Sequence, residues 1–545
     1  MGMYLNPGSG RFEITVQSSI FVDKSPLISY LNAIVKTMQR YVSVSRPRRF
    51  GKTTAADMIC AYYDREADSA SVFSKLKLAE CPDWDKYLKR FDVLRLNMID
   101  FLTGSRNVTE MLSYLTEEVT DELMSKFPDV KYGSRLNLRT VMNKINGASG
   151  QQFVIVIDEW DAVFREYPND LDGQKLYLDF LRDWLKDKEY IALAYMTGIL
   201  PIKKYGKHSA LNMFDEYSMI YPMQLARYAG FTEEEVQGLC RAYGRDYDQI
   251  KAWYDGYKVT DIIPPDPEHQ MQKKTGTPPE PRTYFLYSPL SVVKAVQTGH
   301  ILNYWNNTET YEALEKYISM NYDGLRETIV MLMEGGRQAV DVSGYQNDMT
   351  SFHSRDDILT MLIHLGYLSF DNGQVFIPNR EVLDVFKTST RDASWQPVFQ
   401  MLANSQRLLE ATWAEDAETV AALMEEAHLA GGPGRYHSEE GLSFAVQLAY
   451  YNAANYYSLF RELPTGKGYA DQVYIPRPEY ADKPVLLIEL KYEQSAETAI
   501  DQIHKRQYPK GLEAYKGKML LVGINYNRDC KSEDYKHHAC LIERA

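Results

Sequence analysis

Residues 45–54 read Ser45-Arg46-Pro47-Arg48-Arg49-Phe50-Gly51-Lys52-Thr53-Thr54, directly after the apolar stretch Tyr41-Val42-Ser43-Val44. A strand, a turn and Gly-Lys-Thr opening a helix make a cradle for phosphate. Successive backbone N–H groups point inward, and the new helix adds its positive N-terminal end. In that reading the ligand is ATP, Lys52 reaches the β/γ oxygens, and the Thr53 hydroxyl ligates Mg²⁺. Arg46, Arg48, Arg49, Phe50, Gly51 and Thr54 complete the loop around the cofactor. Arg46 stands where the pattern G-x-x-x-x-G-K-[ST] has its first glycine. The three arginines act in cis on phosphate or dock the loop against the sheet, and the sequence leaves both open.

Phe153 to Ile157 (FVIVI) is a continuous apolar, β-branched run, the pattern of a strand buried on both faces of a parallel sheet. It ends in Asp158-Glu159. An acid at that strand end suits the Mg²⁺ water shell, and the next one suits orienting an attacking water, the two roles ATP hydrolysis needs. The plainer reading is a strand-to-helix cap. Further strands are expected at Val93 to Asn97 and Ile191 to Thr197. The last places Thr197 at a carboxyl end beside the Asp158 strand, where it senses the γ-phosphate or is a plain strand-end hydroxyl.

The 545 residues are too many for a single core. Composition is that of an ordinary globular protein, 45% hydrophobic and 25% charged, with a mean hydropathy of −0.41. No apolar run approaches the roughly 20 residues that cross a membrane. The N-terminus lacks a basic region followed by an apolar one, so a cytoplasmic location without membrane partners is expected. Five cysteines without paired spacing agree with a reducing compartment. A net charge of −13 argues against indiscriminate nucleic-acid binding. Residues 435–545, however, carry 15 Lys/Arg and 15 Asp/Glu, so a nucleic-acid role remains open there.

The text divides into an α/β region over 1–228, a helical and winged-helix-like region over 229–394, a helical linker over 395–434 and a C-terminal α/β domain over 435–545. Thr232 and Glu235 form a capping box at the first boundary. A stretch rich in proline and charge, 261–282, reads as an exposed insertion. Leu359 to Pro378 spells helix, strand, tight turn, strand: a wing of the kind that docks nucleic acid or protein. Trp395 to Ala430 reads as two amphipathic helices closing in Gly431-Gly432-Pro433-Gly434.

A second constellation lies near the C-terminus. Gly466-Lys467-Gly468-Tyr469-Ala470-Asp471 opens one strand, and Val485-Leu486-Leu487-Ile488-Glu489-Leu490-Lys491 forms the next. Asp471 and Glu489 can converge on one metal ion, and Lys491 projects from the same strand face as Glu489. Two carboxylates and a lysine suit phosphodiester hydrolysis, in which Mg²⁺ polarises the phosphate and the ammonium steadies the hydroxide. Glu439 is a further candidate, and Gln502 and Tyr508 are placed to contact a substrate backbone. The competing reading is a surface ion pair. Against it, Glu489 and Lys491 interrupt an intensely apolar strand, where uncompensated charge is costly.

Taken in order, FVDKS (Phe21 to Ser25), SRPRRFGKTT, FVIVIDEWD, TGILP, WYDGY (Trp253 to Tyr257), YSPLSV (Tyr287 to Val292), GYLSF, IPN (Ile377 to Asn379), GKGYADQVYIP, VLLIELKY and QIHKRQYPK resemble a large bacterial family. That family is similar to AAA-type ATPases fused to a C-terminal PD-(D/E)XK nuclease-superfamily domain. The resemblance implies a P-loop, AAA-like parallel-sheet ATPase in which Lys52 and Thr53 hold nucleotide and Mg²⁺ and Asp158 and Glu159 form Walker B. It further implies a nuclease core of Asp471, Glu489 and Lys491, acting on DNA or RNA. The family has arginine at the first glycine position too; its Pro-Asp is Ala470-Asp471 here. AAA-type ATPases often complete their site with a neighbour's arginine, so the resemblance also admits a homo-oligomer.

Overall fold

The computed structural model describes all residues except 1, 135, 203, 206–207, 210, 262–281, 306–309, 321, 323, 347–349, 351, 393–394, 431–441, 443–445, 447–448, 466–467, 507–511, 513–514, 516 and 529–536. Glu439, Tyr508, the interior of the 261–282 insertion and the Gly431 to Gly434 boundary therefore lie outside the described residues. The chain forms two compact units. One comprises Met1–Leu325 with Arg337–Ser389, the other Arg326–Gly336 with Thr390–Ala545.

The first unit is built on a parallel sheet of β1 (Tyr41–Ser45), β2 (Asp92–Asn97), β3 (Phe153–Asp158), β4 (Ile191–Gly198) and β5 (Asp215–Tyr217), in the order β2-β3-β4-β1-β5. Every residue of β1, β3 and β4 is buried. Successive side chains alternate between two cores. Ile155, Ile157 and Met196 pack with Leu115 and Trp184 on one face, while Val154, Val156 and Tyr195 pack with Ile59 and Tyr63 on the other. Helix α1 (Lys52–Tyr63) leaves the end of β1 after Gly51, whose φ of 84° is the left-handed turn that glycine takes without strain. Helix α2 (Ala162–Glu166) follows β3.

The middle region is less helical than its text. After β6 (Phe231–Thr232) and α3 (Glu233–Tyr243), β7 (Tyr257–Asp261) and β8 (Arg282–Tyr287) pair antiparallel in the order β6-β8-β7. The 261–282 insertion thus joins two paired strands whose aromatic and β-branched residues favour a pleated surface. The Thr232/Glu235 capping box is formed as expected. Helix α4 (Pro289–Thr298) follows. The wing comprises β9 (Gln338–Ala339), α5 (Arg355–Leu365), β10 (Ser369–Asp371) and β11 (Gln374–Phe376), followed by α6 (Arg380–Ser389). Asn372 and Gly373 both take positive φ in its tight turn. Residues Asp357 to His364 of α5 are all buried. The short motifs of this region meet one another. A Cβ on Gly256 would fall 1.7 Å from the Pro378 carbonyl oxygen, and buried Glu381 accepts hydrogen bonds from Ser291 Oγ (2.8 Å) and the Tyr304 and Trp305 N–H groups.

In the second unit, α7 (Gln396–Trp413) and α8 (Ala417–Ala430) pack on a sheet of β12 (Tyr457–Thr465), β13 (Gly468–Pro476), β14 (Val485–Tyr492), β15 (Met519–Tyr526) and β16 (His538–Arg544), in that order. Leu408, Val420 and Met424 share a core with Ile488 and Val522, so the stretch expected as a linker forms one layer of this unit. Among the described residues of this sheet only β14 and β15 run parallel, and α9 (Ala496–Lys505) crosses between them.

Candidate functional sites

The segments that follow β1, β2 and β3 open on a cleft of about 690 Å³, lined among others by Arg48, Arg49, Gly51, Lys52, Thr53, Thr54, Ile99, Glu159 and Arg165. Gly51, Thr53 and Thr54 are exposed to it. Lys52 is buried, and its Nζ donates to the carbonyl oxygens of Arg46 (3.1 Å) and Pro47 (3.0 Å), spanning the loop. Burial pulls its ammonium below the ordinary value, opposed by Glu159, Asp161 and Asp158. Arg46 is placed differently from its neighbours. Its side chain is fully buried and donates to the carbonyls of Ser45 (2.9 Å) and Tyr217 (2.7 Å), tying the loop to the sheet edge. These bonds match the loop-docking alternative, not a phosphate contact. Burial lowers this guanidinium to about 10. Phe50 is also buried, edge-on to Tyr257.

Asp158 is 1% exposed. Its Oδ1 accepts the Thr197 hydroxyl at 2.9 Å, and its Oδ2 lies 3.9 Å from Arg95 without a hydrogen-bond partner among the described residues. Thr197 is thus engaged with the carboxylate it was expected to sit beside. Arg95, which sequence reasoning missed, is held by Asp57 at 2.9 Å. Glu159 takes a left-handed φ of 52°, and its carboxylate pairs with Arg165. Burial raises its carboxyl, and Lys52 and Arg165 oppose that rise. Asp161 accepts the backbone N–H groups of Ile199 (3.1 Å) and Leu200 (2.9 Å). Gly198 must be glycine here, since a Cβ would lie 2.6 Å from Asp161 Oδ1.

Beside the cleft, and sharing Gly51, Thr54 and Pro289 with it, is an apolar slot of about 150 Å³ walled by Phe12, Ile20, Phe21, Val22, Met58 and Phe231. The sequence pointed to its wall only through the motif FVDKS. That motif is a strap: Asp23 accepts the N–H groups of Ser25 (2.8 Å) and Lys77 (2.6 Å), and Lys24 Nζ donates to Glu235 at 2.6 Å. Burial lowers the Lys24 ammonium.

In the second unit β13 and β14 pair with Gln472 opposite Ile488, which brings Asp471 alongside Glu489. Glu489 is 1% exposed. Its Oε1 receives Lys491 Nζ at 3.1 Å and also Gln502 Nε2 from α9, while its Oε2 is buried without a hydrogen-bond partner among the described residues. Asp471 Oδ2 accepts the Leu490 N–H at 2.8 Å. Burial, then the Asp471 charge, raise the Glu489 carboxyl, and Lys491 opposes them. The arrangement contains the ion pair, but it buries the Glu489 end of that pair, leaves Lys491 12% exposed and adds a second carboxylate. Among the described residues no group of three or more His, Cys, Asp or Glu is placed to hold a metal ion. No helix among them is long and apolar enough to cross a membrane.

Residues 11–206 match the family described as "Predicted AAA-ATPase", and residues 439–533 match the "PD-(D/E)XK nuclease superfamily". A curated relative, "Uncharacterized protein in vnfD 5'region" of Azotobacter chroococcum, is 26% identical over 225 residues, 40% of this chain and 42% of that protein. The match thus spans less than half of that relative. Among solved structures, a Walker-type ATPase of Pyrococcus abyssi shares 14% identity over 67% of this chain and 94% of its own, with a TM-score of 0.30. The ORC2 protein of Aeropyrum pernix, in ADPNP and ADP complexes, shares 11% over 71% and 96%, with a TM-score of 0.25. Sequence match and architecture together define a chain that joins an AAA-ATPase-like domain to a C-terminal domain of the PD-(D/E)XK nuclease superfamily.

Proposed function

We propose that the protein binds and hydrolyses ATP with Mg²⁺, and that its C-terminal domain is a Mg²⁺-dependent nuclease on DNA or RNA phosphodiesters whose access is set by nucleotide state. The observation that carries the first half is the cleft itself. Lys52, Thr53 and Glu159 line it, Asp158 stands at the adjoining strand end, and an apolar slot adjoins the phosphate loop. The slot fits a purine base, because flat apolar walls beside an anion cradle separate the two halves of a nucleotide. The donor set fits the cation, since the Asp158 Oδ2 is buried and lacks a hydrogen-bond partner among the described residues. Thr53 and Asp158 would hold Mg²⁺, which when bound neutralises charge on the phosphate oxygens. Lys52 exchanges its two carbonyl partners for phosphate, and Glu159 orients the attacking water.

In the second unit Asp471 and the buried Glu489 Oε2 would hold Mg²⁺, which when bound polarises the scissile phosphate. Lys491 steadies the attacking hydroxide, and Gln502 fixes the orientation of Glu489. Glu439 and Tyr508 keep their expected roles at this site as proposals. A cytoplasmic setting agrees with the free thiols of the four described cysteines, and homo-oligomer assembly is part of the same reading.

One observation favours a second reading. Glu489 Oε1 is engaged by both Lys491 and Gln502, which suits a nucleotide-dependent switch whose C-terminal domain binds nucleic acid or protein without cutting it. A cleavage assay on single- and double-stranded DNA and RNA, with Mg²⁺ or Mn²⁺ and with or without ATP, separates the two. Cleavage lost in Asp471→Ala supports the nuclease; binding without cleavage under every condition supports the switch.

A further inference from the structure

We propose that Arg165 is the arginine of the ATPase site supplied by the chain itself: it holds Glu159 until a γ-phosphate replaces that carboxylate, and then binds the phosphate while Glu159 turns to the attacking water. The inference rests on the ATPase reading and adds a residue that no motif contains.

Arg165 lines the cleft together with Lys52, Thr53 and Glu159, and only 8% of its side chain is exposed. One edge of its guanidinium faces Asp161 as an ion pair, Nε 3.3 Å from Oδ2 but without hydrogen-bond geometry. That carboxylate is fully buried and pinned by the Ile199 and Leu200 N–H groups. The terminal Nη2 instead meets Glu159, whose side chain is partly exposed to the cleft. A planar fork held on one side by the buried Asp161 charge can exchange the partner on the other without moving its stem. The γ-phosphate carries more charge and more acceptor oxygens than a carboxylate, so it competes for Nη2; ADP has no such group. In hydrolysis the water oxygen bonds to the γ-phosphorus and the bond to the bridging oxygen breaks. ADP leaves with that electron pair, and the released Glu159 takes the water's proton. Arg165 neutralises charge on the transferred group.

The test is a comparison of ADPNP and ADP affinities, with Mg²⁺, for wild type, Arg165→Met, Arg165→Lys and Glu159→Gln. Arg165→Met is expected to weaken ADPNP by about tenfold or more while leaving ADP unchanged, the size of a lost charged hydrogen bond. Arg165→Lys keeps the charge but is shorter and lacks the fork, and is expected to lose the ADPNP preference as well. Glu159→Gln releases Arg165 from a charged partner and is expected to raise the ratio of ADPNP to ADP affinity. Equal loss of both nucleotides in the two Arg165 variants would make this residue a brace of the loop and overturn the proposal, as would an unchanged ratio in Glu159→Gln. Wild type binding neither nucleotide would overturn the ATPase reading itself, a result distinct from the other two.

Discussion

Gly366, where helix α5 of the wing ends, lies directly against Pro47 of the phosphate loop. It takes a φ of 89°, and an added Cβ would stand 2.7 Å from the Pro47 Cβ and 3.1 Å from Trp305. Its carbonyl oxygen accepts the Tyr257 hydroxyl at 2.6 Å, and Tyr257 packs on Phe50. The loop is therefore supported from outside the ATPase sheet. Gly366→Ala combines a disfavoured backbone angle with overpacking, and is expected to destabilise the first unit by about 1–3 kcal/mol. Thermal unfolding with and without ATP checks it, and the stabilisation given by ATP should shrink as well. An unchanged midpoint and nucleotide response would mean that loop and wing do not support each other.

Lys52→Ala removes the ammonium that spans the loop. Loss of ATP binding with the fold retained is expected, read by calorimetry and circular dichroism. Glu159→Gln keeps the side-chain shape without its charge, so ATP should bind and persist unhydrolysed in a phosphate-release assay. Normal turnover in Glu159→Gln would reduce this residue to a strand-end cap.

Phe21 lines the apolar slot. Phe21→Ala should weaken ATP and ADP by the same factor, about tenfold, because it removes a ring contact and touches no phosphate. Inorganic phosphate or pyrophosphate competition should be unaffected. A selective loss of ATP over ADP would place the base elsewhere.

Much of this was legible in advance because short-range pattern carries it. The run from Tyr41 to Thr54 encodes strand, turn and helix start in one stretch, and FVIVI followed by Asp158 does the same for β3. Asp471, Glu489 and Lys491 were recoverable because two adjacent strands bring them together. The slot was not, since its walls come from three separated segments around Phe12 to Val22, Met58 and Phe231, each an ordinary apolar residue locally. Nor was Arg95, whose value lies in meeting Asp57 and Asp158 across elements. Arg46 sits inside the loop motif, yet only the fold decides whether a loop arginine turns toward ligand or toward a buried carbonyl.

Stability and metal response should vary with pH through Glu489. Its carboxyl is raised by burial and by Asp471, so the native state binds this proton more tightly than the unfolded chain does. Stability from this group is therefore present at acid pH and falls as pH rises from the ordinary carboxylate value through the raised one. Glu489→Gln should unfold at a higher temperature than wild type at neutral pH, with the difference vanishing in acid. Metal binding needs the ionised form, so the Mn²⁺-induced shift in wild-type midpoint should grow as pH rises through the raised Glu489 carboxyl and be absent in Glu489→Gln. A pH-independent Mn²⁺ shift, or one kept in the variant, would place the ion away from Glu489.

The burial of α5 along Asp357 to His364 has its own bearing on what the wing can do. A helix that enters a DNA groove has to offer a solvent-facing row of side chains to base edges, and this stretch has none to offer. Sequence reading through α5 is therefore closed off. The hairpin turn at Asn372-Gly373, both exposed, can follow backbone or groove shape but carries no helix-borne code.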